Sequence, residues 1–586
     1  MRTKEDDILI KKLARSLREF KKDSILSPVF VSLEVLMEVL IPMLMASIID
    51  NGIEQGNMTY IWQLGIVLVL ASILSLFFGV LSGRFAAKAS AGFAKNLRKD
   101  MFSRIQQYSF TNIDKFSNAS LVTRLTTDIT NVQMAFMMIV RVAVRGPIML
   151  IFAVIFSVQL NAELSLIYLV AIPVLGAGLF WITWKAHPRF EKVFRSYDSL
   201  NRVVQENVTA MRVVKAYVRE DHENKKFHRI SDRVYNLFVS AEKLVCMNTP
   251  LMMFAMYTCI TLICLLGGQQ IIAGDFTTGQ LLSQMTYATQ ILSSLMMLSM
   301  VFVMIIMART SAERIVEVLD EESALKDPAD PVEEVPNGSI DFNQVNFSYI
   351  GDKEKLALAG VDLHIKSGET VGIIGGTGSA KSTLVQLIPR LYDATEGSVL
   401  VGGIDVRQYG LEALRKQVAM VLQKNVLFAG SIKDNLRWGK PDATDEEIVH
   451  ACKLAQADEF IQGFPDGYDT HIEQGGSNVS GGQKQRLCIA RALLAHPKIL
   501  ILDDSTSAVD TRTDALIRKA FAEEIPGTTK LIIAQRINSV ENADRVIVLD
   551  NGRVDAFDTP ENLLKNNKIY REVYQSQGGK GAEDHE

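Results

Sequence analysis

The stretch ETVGIIGGTGSAKSTL, Glu369 to Leu384, reads as an apolar strand, a glycine-rich loop and the first turn of a helix in immediate succession. Backbone N–H groups along Gly375, Gly376, Thr377, Gly378, Ser379, Ala380, Lys381, Ser382 and Thr383 are placed to wrap a phosphate chain. In such a loop the lysine, Lys381, reaches the outer phosphates as a point charge, and the hydroxyl of Ser382 ligates Mg2+. The GxxxxGK[ST] pattern puts glycine before the lysine, whereas this chain has Ala380. The extra methyl restricts a conformation that glycine tolerates, so phosphate binding is expected to survive with altered geometry.

Two further segments complete the pattern. KILILDDSTSAVD (Lys498–Asp510) is an apolar strand that ends in Asp503 and Asp504; a carboxylate at that place holds Mg2+ directly or through water. Between loop and strand lies NVSGGQKQR (Asn478–Arg486). The order resembles the ATPase domain of ABC transporters, and VSGGQ is close to that family's LSGGQ signature. The resemblance implies ATP and Mg2+ as ligands. It also assigns Tyr349 in FSYIG to stacking on adenine and Gln423 in MVLQKNVLF to the Q-loop, with Gln423 joining Ser382 and Asp503 around the metal. Ser507 to Asp510 would be the D-loop, and Ser480, Gly481, Gly482 and Gln483 would face the γ-phosphate in the opposite site of a head-to-tail pair of such domains. Singly, Tyr349 reads as a strand aromatic, Gln423 as a loop polar residue and SGGQ as a turn; jointly and in order they do not.

Departures from the family pattern fall in one place. Where hydrolytic members carry a glutamate that polarises water, this chain has Asp504, one methylene shorter. A catalytic group displaced by about 1 Å costs roughly a hundredfold in rate. In LIIAQRINSVENAD the family's usual switch histidine is Gln535, which accepts and donates hydrogen bonds but cannot acquire imidazole's positive charge. Asp504, Gln535 and Gln423 are therefore the candidate catalytic residues of a site that holds ATP more than it hydrolyses it. The signature, by contrast, is intact. The economical expectation is a heterodimer in which a partner's P-loop faces this signature and turns over; a homodimer with two weakened sites is the alternative.

Upstream of about residue 325 the composition changes. Apolar runs at Ile25–Ile49, Ile61–Phe85, Phe136–Val158, Leu164–Ile182, Leu244–Gly267 and Leu281–Met307 are each near the ~20 residues that cross a bilayer. A soluble ATPase of DNA repair or translation shares the motifs but lacks such spans. The short links (Asp50–Met58, Gln159–Glu163, Gln269–Gln280) contain no Lys or Arg, and the long, helical links contain many. The positive-inside rule then places the long links, both termini and the ATPase domain in the cytoplasm. This layout resembles the exporter branch of the family. Reversals in the long links, FTNIDKFSN (Phe110–Asn118) and ENVTAMRVVKAYVRE (Glu206–Glu220), are the expected mechanical couplers. Glu34 and Glu38, like Arg141 and Arg145, sit four apart on one helix face, either as a polar lining that contacts substrate or pairing with one another or snorkelling. Met296, Met297, Met300, Met304 and Met307 enrich span six with deformable side chains.

The expected fold is thus a six-helix, all-α membrane domain with long intracellular helices, fused to an α/β P-loop ATPase domain. The divisions read 1–24 amphipathic helix, 25–320 membrane domain, 321–337 linker, 338–578 ATPase domain and 579–586 polar tail. In the first segment Ile10, Leu13, Leu17 and Phe20 share a face, and Lys11, Lys12, Arg15, Arg18, Lys21 and Lys22 supply charge for anionic headgroups. Lacking a continuous apolar core, this segment is not expected to act as a cleavable signal peptide. A net charge of -4 and pI of about 6.2 leave no electrostatic footprint for nucleic acid. The cysteines Cys246, Cys259, Cys264, Cys452 and Cys488 are scattered and read as small core residues. Expected function is ATP-driven export of amphipathic drugs or lipids across a bacterial cell membrane, with peptide export as runner-up; partners are a second half-transporter, the bilayer and the cargo. A nucleotide-gated channel or a regulatory subunit that only binds ATP are competing classes, the latter disfavoured by the intact signature.

Overall fold

A computed structural model describes residues 4–505 and 508–577; Ser507 and the 579–586 tail, singled out above, lie outside the described residues. The chain forms two compact units, one of residues 1–107 and 117–321, the other of 108–116 and 322–586.

The first unit is helical: α1 Lys4–Arg15, α2 Lys21–Ile48 and α3 Met58–Gln106, then α5 Asn118–Thr123 after the detached α4 Phe110–Lys115. It continues through α6 Ile129–Leu160, α7 Ala162–Thr209, α8 Met211–Ala216, α9 Glu220–Val245, α10 Asn248–Ala273 and α11 Thr278–Asp320. Among the described residues six helical segments are long and apolar enough to cross a membrane. At 49 residues, α3 spans about 74 Å at 1.5 Å per residue, more than twice a ~30 Å hydrocarbon layer. The packing seam is legible in α2, where Val31, Val35 and Val39 recur every fourth position with no exposure. They meet Met149, Ala153, Tyr168, Ile263, Tyr287 and Ile291. Tyrosine tips satisfy backbone carbonyls there: Tyr287 donates to Val39 O at 2.9 Å and Tyr168 to Gln284 O at 2.8 Å, since an unpaired hydroxyl is costly in an apolar interior.

Several side chains differ from their expected roles. Lys12 pairs with Asp320, and Arg18 with Asp100, each at 2.5 Å, so part of the basic face of the first segment is directed to this chain's own acids. Of the intramembrane charges, Arg145 pairs with Glu34 and Glu38, both at 2.5 Å, whereas Arg141 has no hydrogen-bond or ion-pair partner among the described residues. Cys246 and Cys264 are exposed rather than core, while Cys259, Cys452 and Cys488 are buried. Met296, Met297 and Met300 are exposed; the side chain of Met307 lies outside the described ones.

The second unit carries strands β1 Ile340–Phe347, β2 Leu358–Ile365, β3 Thr370–Gly375, β4 Glu396–Val401, β5 Ile404–Asp405, β6 Val418–Val421, β7 Gly430–Ser431 and β8 His471–Ile472. They continue with β9 Ile499–Asp503, β10 Thr529–Ile533, β11 Arg545–Asp550 and β12 Arg553–Asp558. Its helices are α12 Lys381–Gln386, α13 Leu411–Gln417, α14 Ile432–Leu436, α15 Asp445–Leu454, α16 Asp458–Gln462, α17 Gly481–Leu494, α18 Thr511–Glu524, α19 Pro560–Asn566 and α20 Lys568–Ser576. The larger sheet has the order β12-β11-β3-β10-β9-β6 and is parallel except for β12; the smaller, β2-β1-β4-β5, is antiparallel. Strands β9 and β10 are buried along their whole length, as near-continuous apolar runs should be when both faces are covered. Because β3, β10, β9 and β6 are neighbours and run the same way, the residues that follow them converge on one edge. This is the carboxyl edge, where open parallel sheets place their ligands.

Segment 108–116 belongs to this unit. Tyr392 donates to Asp114 at 2.6 Å across 278 residues of chain, and Phe110 meets the Tyr392 ring edge-on, centroids 6.0 Å apart. Asn112 is held at both ends, its amide donating to Glu322 O and its oxygen accepting from Ala324 N–H. In the other expected coupler, α8 and the residues after it leave Val213, Tyr217 and Val218 exposed, at 57%, 75% and 80%.

Candidate functional site

Each motif residue reaches the sheet's carboxyl edge by a short path from its strand. Gly375 closes β3 where a Cβ would stand 2.3 Å from Leu549 O and 2.6 Å from Ser379 Oγ, so only glycine fits the turn. The loop then bends around the ammonium of Lys381, which donates to Gly375 O at 2.9 Å, Gly376 O at 2.8 Å and Ser379 Oγ at 3.4 Å. Burial lowers the basicity of Lys381, an effect the carboxylates of Asp503 and Asp504 oppose. Ala380 enters α12 at φ 70° and ψ 27°, the left-handed region that costs a residue with a Cβ about 1–2 kcal/mol.

A sign reversal follows from that strain. Alanine to glycine in an ordinary helix costs about 1 kcal/mol, but Ala380→Gly is expected to leave the melting temperature unchanged or raise it. ATP affinity should tighten a few-fold as the loop relaxes. Differential scanning fluorimetry and a nucleotide titration of the variant read both; a lower melting temperature with weaker binding would sink the strain argument.

Ser382 donates to Asp503 Oδ1 at 3.0 Å, which brings together two of the three expected metal-site residues. Asp503 is only 4% exposed. Burial raises its pKa, reinforced by the charge of Asp504 and opposed by Ser382 and Lys381; a divalent cation would relieve that penalty. Hydroxyl and carboxylate oxygens are the hard ligands Mg2+ takes, completed by water and phosphate oxygens, so the donor set fits. Among the described residues no cluster of three or more His, Cys, Asp or Glu offers another metal site.

The third expected metal residue, Gln423, follows β6 and lies beside Asp504, whose carboxylate its amide favours. Asp504 has a left-handed backbone, φ 50°, which aspartate tolerates better than most residues. Its Oδ2 accepts from Gln535 Nε2 at 2.7 Å. Burial raises the pKa of Asp504 as well, opposed by the Gln423 and Gln535 amides and the charge of Lys381. The candidate catalytic residues therefore form one constellation in which the Gln535 amide holds the short Asp504 carboxylate and the Gln423 amide lies beside it.

Tyr349 stands at the flank. Its hydroxyl shares a 2.9 Å hydrogen bond with Thr383 Oγ1, and its ring packs edge-on against Phe347 and Tyr392 with centroids 4.8 and 5.3 Å away. At 46% exposure it retains surface on which a planar base can stack.

The signature stands on its own helix. Ser480 caps α17: its Oγ accepts from Gln483 N–H at 3.3 Å, and Gln483 Oε1 accepts from Ser480 N–H at 2.9 Å. The cap uses the hydroxyl as an acceptor and leaves its proton available to a ligand. At Gly482 a Cβ would lie 2.8 Å from Ala508 O, and Ala508 N–H donates to Gln485 at 3.0 Å, so the start of α17 is packed against the segment after the Asp503–Asp504 strand. Asp510 caps α18 by accepting from Thr513 N–H at 2.9 Å. Among the described residues no hydrogen bond joins Ser480–Gln483 to the phosphate loop.

Two residues escaped the sequence reading. Gln577 grips the switch segment at both ends of its amide, donating to Gln535 O at 2.8 Å and accepting from Ile537 N–H at 2.7 Å. Tyr392 joins Asp114 to the Tyr349 ring. Neither lies in a spaced motif, and both act across long sequence separations.

The comparisons with known proteins agree with this geometry. Residues 24–312 match the family described as ABC transporter transmembrane region, and residues 358–507 that described as ABC transporter. An ABC transporter ATP-binding protein of Bacillus subtilis, YfiB, is 38% identical over 93% of this chain and 95% of its own length. The ATP-dependent lipid A-core flippase of Desulfotalea psychrophila is 31% identical over 86% of this chain and 89% of its own. Among solved structures, a bacterial Atm1-family ABC exporter with ATP bound superposes with a TM-score of 0.82, covering 96% of this chain and 99% of that one at 24% identity, a likeness of fold.

Proposed function

Since the chain belongs to the ABC transporters, with the membrane and ATPase domains of an exporter, we propose that it is one subunit of a heterodimeric exporter, the one whose own ATP site hydrolyses slowly. ABC exporters of this kind work as dimers in the membrane, and their ATPase domains couple ATP hydrolysis to transport. In the proposed pair Lys381 and the amides of Gly375 to Thr383 hold the phosphates, Ser382 and Asp503 hold Mg2+ with Gln423 beside them, and Tyr349 stacks on adenine. The opposite site combines a partner's P-loop, glutamate and histidine with Ser480, Gly481, Gly482 and Gln483 of this chain. ATP binding closes the ATPase domains and favours the outward-open arrangement of the spans, and hydrolysis in the competent site resets it.

The observation that carries the reading is the Gln535–Asp504 hydrogen bond. A carboxylate that must polarise water is here one methylene short and already engaged by an amide that bears no charge. Amphipathic drugs or lipids are the proposed cargo, supported by the apolar spans and by the likeness to an ATP-dependent lipid A-core flippase; peptides are the second choice. Lys and Arg on the long links support a cytoplasmic ATPase domain in the cell membrane.

ATPase activity in lipid tests the proposal, with the chain purified alone and together with the product of a neighbouring transporter gene. The pair is expected to turn over at least about tenfold faster than the chain alone, a difference of ~1.4 kcal/mol in barrier. Brisk hydrolysis by the chain alone would favour the homodimer and sink the asymmetric cycle, leaving the exporter assignment in place.

A further inference from the structure

Within the membrane unit, two helices bring opposite charges to one notch against a third. Arg145 on α6 is shared between Glu34 and Glu38 on α2, yet Glu34 Oε2 is buried with no hydrogen-bond partner. One turn earlier on α6 stands Arg141, exposed, with no hydrogen-bond or ion-pair partner among the described residues. Two glycines on α3 make room for both. A Cβ at Gly79 would stand 3.2 Å from the Glu34 carboxyl, and one at Gly83 would stand 3.6 Å from the Arg141 guanidinium. An aromatic wall closes the same seam: Phe30, one turn before Glu34, stacks on Phe85 with centroids 5.5 Å apart and lies 6.2 Å from Phe78.

Depth gives the notch a direction. Lys88 pairs with Asp23 at 3.1 Å at the charged end of α2 and α3. At 1.5 Å per residue Gly83 lies about 7 Å, and Gly79 and Glu34 about 13 to 17 Å, deeper into the apolar span than that pair. The partnerless guanidinium is thus the shallower group and the carboxylate with a spare oxygen the deeper one. Charges at such depth are expensive and persist where they meet a ligand or one another. Here the mutual pairing is incomplete on both signs.

We propose that this notch binds a zwitterionic amphiphile, its phosphate or other anionic group on Arg141 and its ammonium on Glu34 and Glu38 beside the Phe30 wall. A guanidinium pairs well with a planar or tetrahedral oxyanion, and an ammonium is drawn both to carboxylates and to aromatic faces. A phosphoethanolamine carries the two groups on a two-carbon link, comparable with the single helical turn that separates Arg141 from the Arg145 cluster. The bilayer's own phospholipid and a single-chain zwitterionic compound share this chemistry. As a cargo site the notch rests on the export reading; as a binding site it does not.

The experiment measures binding to the full chain, assembled with its partner in detergent and free of nucleotide. The probes are dihexanoyl phosphatidylethanolamine, a single-chain phosphoethanolamine, dihexanoyl phosphatidylglycerol and a hexylammonium salt. Both zwitterions are expected to bind about tenfold tighter than the probes of single charge, the worth of one further charge-assisted contact. A preference for the two-chain form identifies the bilayer lipid as the source, and a preference for the single-chain form identifies a smaller cargo. Arg141→Ala, outside the ion-pair cluster, should remove that advantage without changing hexylammonium binding or the melting temperature, and Arg141→Lys should restore part of it. Glu34→Gln should weaken both ammonium-bearing probes. Equal binding of all probes, or an Arg141→Ala variant that keeps the zwitterion advantage, overturns the proposal. Transport that persists unaltered in Arg141→Ala while zwitterion binding is lost removes the cargo role and leaves the site.

Discussion

Replacing Ser480 by alanine in this chain is expected to lower ATP turnover of the assembled dimer about a hundredfold, the loss typical of deleting one hydrogen-bond donor to charge developing in a transition state. Asp504→Asn in the same chain should change it less than about threefold, because the proposed division of labour places turnover at the partner's P-loop. The serine substitution has a structural side effect that must be separated. Ser480 caps α17 by accepting from Gln483 N–H, and loss of a cap costs about 1 kcal/mol, enough to shift the melting temperature by a few degrees but far short of the kinetic loss. Ser480→Thr keeps both cap and donor. Rescue by threonine at wild-type thermal stability, set against a silent alanine variant, isolates the catalytic contribution. Equal losses from Ser480→Ala and Asp504→Asn would mean two equivalent sites.

In the Ser480→Ala background the residual hydrolysis arises at this chain's own P-loop, and there Asp504→Glu with Gln535→His is expected to raise it about ten- to a hundredfold. The longer side chain moves the carboxylate by roughly the 1 Å that costs or restores such a factor, and imidazole supplies a charge that the Gln535 amide cannot. Either substitution alone should give much less. Glutamate alone still meets the Gln535 amide, which donates to residue 504 at 2.7 Å, and histidine alone faces a carboxylate that stays too short. The double variant should also be slightly less stable, because residue 504 sits at φ 50°, where aspartate is tolerated better than glutamate. Single-turnover kinetics of the double variant, with the neighbouring site silenced, are the measurement. An unchanged rate would remove the basis for assigning slow hydrolysis to this pair of residues.

Much of this site is written in local sequence because its parts are short and continuous. The strand–loop–helix of Glu369–Leu384 fixes where a phosphate sits, and the left-handed backbone at Ala380 is the strain its missing glycine foretold. The six apolar runs likewise become six long helices, since a bilayer-length requirement acts on each segment separately. What was not legible depends on pairing at a distance. Spacing put Glu34 and Glu38 on one face and Arg141 and Arg145 on another, but could not tell that Arg145 alone takes both glutamates. Tyr392 and Gln577 carry no periodic or motif signal at all. The first segment shows the limit from the other side: its amphipathic pattern was plain, yet Lys12 and Arg18 have acidic partners at Asp320 and Asp100 that no local pattern names.

The ATPase unit is discontinuous in the chain, and this sets an order on its synthesis. The Phe110–Phe116 stretch leaves the ribosome early and waits through the last four spans of the membrane domain for Tyr392, to which Asp114 bonds across 278 residues. Closing so large a loop is slow compared with forming neighbouring helices, so this corner is among the last parts of the molecule to complete. A chimera that exchanges only residues 322–577 with another exporter would separate Asp114 from its tyrosine and leave the Phe110 ring facing a foreign surface. Exchange of ATPase domains within this family should therefore move two pieces of sequence together, the short early one and the long late one.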